Sequence, residues 1–316
     1  TSAGQRVSLV RAFQKELKNL YPQGKVFTTD MHPHFSAACN VSDHYFQVKR
    51  VTDPTYIDEL IALCQDNNIS MVVPTIDTEL LVLAQNKERF SKLGIHVIIS
   101  STSLVEACRD KRKIHAFFLQ RGIEIPKEVN KADPVFPLFI KPYDGSLSAD
   151  TFIINKKEDL TDYHLQNEKF LFMEYISKDE YDEYTIDMYF DKSHQVKCIV
   201  PRKRISIRAG EINKGLTEKN KIVLFLKEKL GFIEGAIGCL TVQVFLNRLS
   251  ERIVAIEINP RFGGGYPLSY RAGGNYPLWL ILEYFNNQSI AYTENWENNL
   301  LMLRYDDEVI VHANKS

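Results

Sequence analysis

Near residue 100 the texture of the chain changes, and the two parts obey different periodicities. Before that point, apolar runs at 25–29 (KVFTT), 44–48, 71–74 (MVVP) and 96–100 (HVIIS) alternate with stretches of helical period. In the stretch 6–20, Val10, Phe13, Leu17 and Leu20 share one helix face, and Pro22 and Gly24 end it. A second helix over 56–67 turns Ile57, Leu60, Ile61 and Cys64 inward, and a third covers 78–90. Strands that alternate with helices predict a parallel sheet covered on both faces, a doubly wound α/β unit. Residues 2–6 read as the turn that follows a strand, so a first strand is expected ahead of Thr1.

Beyond residue 104 a helix over 110–121 is stopped by Gly122 and Pro126. Apolar runs follow at 135–141, 151–154 and 170–173, with a helix over 157–165 between the last two. Further strands are expected at 183–190, 195–201, 239–246, 252–258 and 300–304, with helices at 218–230 and 278–286. That order predicts antiparallel or mixed sheets, an α+β arrangement. The expected division is 1–104, 105–174 and 175–316, within the two or three packed units that 316 residues allow.

A formal net charge of −1 argues against a nucleic-acid partner held by a basic surface. No run approaches the ~20 apolar residues that span a bilayer, so no membrane partner is expected. The five cysteines are scattered and form no CxxC pair, which suggests reduced thiols and a cytoplasmic protein.

The chemistry gathers around residues 253–261. On a strand over 253–258, Ile256 and Ile258 point one way, and Glu257 and Asn259 the other. Arg261 follows just past the strand. Gln243 sits in an apolar strand and needs a polar partner. A hairpin through 247–251 would set it opposite Glu257. One carboxylate and two amide oxygens are hard ligands suited to magnesium, and a forked guanidinium suits a phosphate oxygen. A Glu-x-Asn-x-Arg run alone is equally a solvated strand end.

Lys111 lies in the first turn of the 110–121 helix, where the dipole favours an anion. Lys141 ends an apolar strand and enters a loop with Gly145, Ser146 and Ser148, which can fold over phosphates. Each lysine alone reads as a surface residue. The run 170–176 ends on Glu174, Tyr175 and Ile176, whose backbone groups could meet an adenine edge, and Glu183 could accept a ribose hydroxyl. Arg202, Lys203, Arg204 and Arg208 form a basic cluster that could grip an acid or acyl phosphate, or simply face solvent. His32 and His34 flank Pro33 and read as surface residues.

Taken in order, these motifs resemble the ATP-grasp superfamily, and most the ATP-binding units of carbamoyl phosphate synthase large subunits. The carrying residues are Asp110-Lys111, Gly122 with Pro126, Ile140-Lys141-Pro142 with the following loop, 173–176, 183–187, Gln243, and Glu257-Ile258-Asn259-Pro260-Arg261. The resemblance implies an N-terminal pre-ATP-grasp domain over 1–104. A small ATP-grasp subdomain (105–174) and a C-terminal one carrying the metal-binding strands (175–316) would follow. It implies ATP on Lys111, Lys141, Gly145, Ser146, Ser148, Glu174, Tyr175, Ile176 and Glu183. It also implies one or two magnesium ions, or manganese, on Gln243, Glu257 and Asn259. Arg261, Arg204 and Arg202 would serve the transferring phosphoryl group and the acid. Leu147 stands where many relatives carry glycine.

The implied activity is a carboxylate–amine ligase acting on small-molecule acids and amines through an acyl phosphate, with a homodimer through the N-terminal unit as one arrangement. A small-molecule kinase and a non-catalytic ATP-binding regulator would use the same residues. A dehydrogenase would use the first α/β unit, but residues 2–6 hold one glycine rather than GxGxxG.

Overall fold

The computed structural model describes residues 1–144, 150–208 and 210–312. Helix α1 (Val7–Leu20) buries Leu9, Val10, Ala12 and Glu16; of the expected face, Val10 is buried, Phe13 and Leu17 are half-buried and Leu20 is exposed. It is followed by β1 (Phe27–Asp30), α2 (Ala37–Val41), β2 (His44–Gln47) and α3 (Tyr56–Asp66), and then by β3 (Met71–Val72), α4 (Asp77–Ser91) and β4 (His96–Val97). Strand β1 pairs with β2 and β3 with β4, both in parallel, as the alternation required. The two pairs are separate sheets rather than one, and β3 and β4 are only two residues long. An apolar cleft of about 820 Å³ lies between β1 and β3. The buried Glu79 ties the start of α4 to the chain start: it accepts from Thr75 N at 2.6 Å and from Ser2 Oγ at 2.8 Å.

Helix α5 (Thr102–Arg109) crosses the boundary expected at 104, with the side chain of Ser101 capping it. Helix α6 (Lys111–Gln120) begins at Asp110, whose carboxylate accepts from Arg112 N at 2.9 Å. Three strands form the next sheet: β5 (Leu138–Pro142) lies between β6 (Phe152–Ile154) and β7 (Phe170–Glu174), all antiparallel. The helix expected over 157–165 is a 3-10 turn (Lys157–Asp159) and a short α7 (Asp162–Gln166).

The large sheet carries β8 (Tyr181–Phe190), β9 (Val196–Arg208), β10 (Glu211–Thr217), β11 (Gly238–Asn247), β12 (Ile253–Asn259) and β13 (Leu301–Leu303), in the order β12-β11-β8-β9-β10-β13. Its described pairings are antiparallel. Helices α8 (Lys221–Leu230), α9 (Tyr266–Ala272) and α10 (Tyr276–Phe285) complete the chain. Ile186, Met188, Leu240 and Val242 share one face of the central strands and are fully buried in the core with helix residues such as Leu226, Leu230 and Leu280. No helix among the described residues is long and apolar enough to cross a membrane.

Candidate functional site

Gln243 on β11 and Glu257 on β12 are direct cross-strand partners, as the hairpin reading expected. Beyond them the register shifts and Ile256 is left unpaired, a bulge beside the site. Asn259 Nδ2 donates to Glu257 Oε1 at 2.9 Å. On the other side of β11, the side chain of Gln243 donates to Glu183 of β8. Gln243, Glu257 and Asn259 therefore face one cavity of about 480 Å³.

The same cavity is lined by Lys111 and Lys141. Lys111 opens α6, and its backbone N–H donates to Tyr143 O at 2.8 Å, which fixes the helix start against the end of β5. Lys141 is buried, at 5% exposure. Burial lowers its pKa to about 8; Lys111 pushes the same way and Glu257 opposes. His115, one turn along α6, is lowered to about 4 by burial and then by Lys141. It is neutral at pH 7 and adds no third positive charge.

Glu174, Tyr175 and Ile176 also line the cavity, as does Glu183 beside Gln243. The Glu174 side chain pairs with Arg252 at 3.1 Å, and its backbone N–H is taken by Lys127 O at 2.8 Å. Gly145, Ser146 and Ser148 lie outside the described residues.

The basic cluster does not act as one patch: strand alternation turns Lys203 to the other face, and Arg208 lies at the far end of β9. Arg202 and Arg204 line the cavity. Lys203 pairs with Asp182 at 2.7 Å instead, and Arg208 lies out at Asp306. Arg204 is held by Glu183 at 3.1 Å and Thr185 Oγ1 at 3.1 Å. Arg202 is 1% exposed and donates twice to Asp187, at 2.8 and 3.0 Å, while Thr241 and Ser269 donate to the same carboxylate. Arg261 lies beside the metal-type ligands and is gripped by Asp77.

Asp77, Glu211 and the run Gly263, Gly264, Gly265 complete the wall. Sequence reading passed over them. The three consecutive glycines that follow Arg261-Phe262 were the available signal, since backbone without side chains marks close approach. A Cβ at Gly265 would fall 2.0 Å from Arg202 Nη1, and one at Gly264 2.1 Å from Glu211 Oε2.

Residues 1–98 match the family described as PylC-like, N-terminal domain, and residues 166–306 match ATP-grasp in the biosynthetic pathway with Ter operon. Among solved structures, biotin carboxylase from Campylobacter jejuni in complex with β-γ-ATP superposes with a TM-score of 0.72 at 13% identity, covering 93% of this chain and 72% of that one. N5-carboxyaminoimidazole synthetase from Staphylococcus aureus gives 0.69 at 14%, over 90% and 76%. L-amino acid ligase from Bacillus licheniformis gives 0.66 at 16%, over 89% and 72%. No curated protein matches the sequence. The family matches and the superpositions give an N-terminal α/β domain of PylC-like type followed by the ATP-grasp fold.

Proposed function

We propose that this chain is an ATP- and magnesium-dependent ligase that activates a carboxylate as an acyl phosphate for attack by an amine or ammonia. One observation carries the reading: Lys111 and Lys141 line a single cavity together with Gln243, Glu257 and Asn259 and with Glu174, Tyr175 and Ile176. Lys111 and Lys141 hold the phosphates. Adenine lies against the 174–176 segment, and Glu183, steadied by Arg204, takes the ribose.

Gln243, Glu257 and Asn259 would hold one or two magnesium ions, with manganese able to serve. A single carboxylate with two amide oxygens fits a cation that keeps most of its coordination for phosphate and water. Such a cation, when bound, neutralises charge on the phosphate oxygens.

The protein contributes positioning and fixed charge. A carboxylate oxygen of the acid attacks the γ-phosphorus in line, the bond to the β–γ bridging oxygen breaks, and ADP leaves. The amine nitrogen then attacks the acyl carbon. The new C–N bond replaces the C–O bond to phosphate, phosphate departs, and the nitrogen gives up a proton to solvent. Arg261, fixed by Asp77, faces the transferring group, and Arg202 faces the acid. The reading places the protein in the cytoplasm, with two copies joined through residues 1–104.

The test is ADP release from magnesium-ATP with a panel of acids, with and without amines or ammonia. Release that needs an acid and rises with an amine supports a ligase. Release that yields a stable phosphorylated acid, indifferent to any amine, would replace it with a kinase.

A further inference from the structure

We infer that the apolar cleft between β1 and β3 is the slot of a further parallel β-strand, about five apolar residues long and joined to the nitrogen of Thr1. Two strand edges bound the cleft. Among the described residues β1 has one strand neighbour, β2, and β3 has one, β4. A strand turns the backbone groups of alternate residues to opposite sides. Val26 O and Asp30 O accept from Asp43 and Val48 on the β2 side, and Ser70 O and Val72 O accept from His96 and Ile98 on the β4 side. The backbone N–H and C=O of Phe27, Thr29, Met71 and Val73 therefore point the other way, to the cleft these residues line. Two facing rows of donors and acceptors form a template for a strand between them.

The first residues fix which strand enters. Thr1 N donates to Val73 O at 2.9 Å and Ala3 N to Thr29 O at 3.1 Å, so residues 1–3 bridge the two edges. Thr29 lies near the end of β1, and Val73 directly follows β3. A segment joined to the Thr1 nitrogen and laid in the cleft thus runs alongside both strands in their own direction. Helix α1 then becomes the crossover that parallel neighbours need. The order β2-β1-new strand-β3-β4 turns two separate pairs into one parallel sheet.

Length and composition follow from the walls. Residues 25–29 and 69–73 line the two strand sides, a run of about 17 Å. Leu9, Phe13 and Leu17 of α1 and Leu60, Leu63 and Cys64 of α3 supply further lining. A parallel strand buried among helices is a near-continuous apolar run. A small apolar molecule would cover the same side chains but leave the buried backbone rows unpaired, which is costly.

The experiment adds five residues ahead of Thr1 in the full chain and reads amide hydrogen exchange. One extension is Val-Leu-Ile-Val-Leu, a second carries proline at its centre, which removes a ladder N–H, and a third alternates serine and asparagine. The apolar extension should slow exchange at Phe27, Thr29, Met71 and Val73 about 100-fold or more and raise the melting temperature, while the other two leave exchange within roughly 3-fold. It should also abolish binding of a fluorescent apolar dye to the cleft. If the N-terminal domain is unfolded in the chain that starts at Thr1, recovery with the apolar extension alone supports the slot, and recovery with none of the three overturns it. Equal protection by all three extensions, or a dye that still binds the cleft beside the apolar one, overturns it as well. Protection that appears only in a dimer overturns the assignment to the chain's own Thr1 and gives the slot to a second copy.

Discussion

Asp77, the first residue of α4, and Arg261, just past β12, are joined by two hydrogen bonds, Nε to Oδ1 at 2.7 Å and Nη2 to Oδ2 at 2.5 Å. The N-terminal domain thus supplies the carboxylate that orients an arginine of the ATP-grasp body. Asp77→Asn keeps the shape and removes the charge. It should lower kcat about 10-fold or more, leave magnesium-ADP affinity within roughly 2-fold, and cost about 1–3 kcal/mol of stability. Steady-state kinetics with a denaturant midpoint checks all three; an unchanged kcat would make the pair a purely structural tie.

Lys141 gives a pH prediction whose sign follows from burial. Its folded pKa of about 8 lies below the ordinary 10.5, so the unfolded chain holds the extra proton between those values. The cost of burying the ammonium is complete below pH 8 and fades as pH rises toward 10.5. Lys141→Met should therefore stabilise the protein at pH 7, by up to about 3 kcal/mol, and the gain should vanish near pH 10.5. The same variant should lose nucleotide affinity. In the wild type, affinity should fall as pH climbs through 8 and the ammonium discharges. Melting curves and nucleotide titrations at pH 7 and pH 9.5 test both halves.

Glu257→Gln preserves size and the cross-strand place opposite Gln243. It removes the one carboxylate of the metal-type set. The expected result is a kcat loss of about 100-fold or more with a much smaller change in magnesium-ADP affinity, measured by single-turnover kinetics and calorimetry. Equal losses in both would deny Glu257 a role specific to the chemical step.

Asp187 is fully buried and accepts from Arg202, Thr241 and Ser269. Removing its charge strands a buried guanidinium. Asp187→Asn should cost about 3–5 kcal/mol by urea denaturation, whereas Ser269→Ala, which leaves the ion pair intact, should cost about 1 kcal/mol. Similar costs for the two would mean that the pair contributes little beyond its neutral hydrogen bonds.

The pairing of Gln243 with Glu257 was legible because strand alternation is a strict period and a short hairpin fixes register. Lys111 and Lys141 were legible because one opens a helix and the other ends a strand, places readable from local pattern. Asp77 and Glu211 were not, because their meaning comes from partners 184 and 93 residues away. Strand β10 (EINKGLT) escaped for a related reason: it carries Gly215, and its register with β9 slips at Lys214, so its alternation is broken. Helix α9 follows three glycines and contains Pro267, which reads as loop until the helix is seen. The basic residues 202–208 looked like one cluster in sequence, but the pleat of β9 turns Lys203 away and the length of the strand carries Arg208 out to Asp306.

The central claim is that the nucleotide lies between Lys111, Lys141 and the Gln243–Glu257 pair. A crystal structure with magnesium-ADP tests it most directly. The account predicts the diphosphate beside Lys111 and Lys141, the metal on Glu257, and adenine along Glu174, Tyr175 and Ile176. A nucleotide found instead in the cleft between β1 and β3, or held without Lys141 and Glu257, would contradict it.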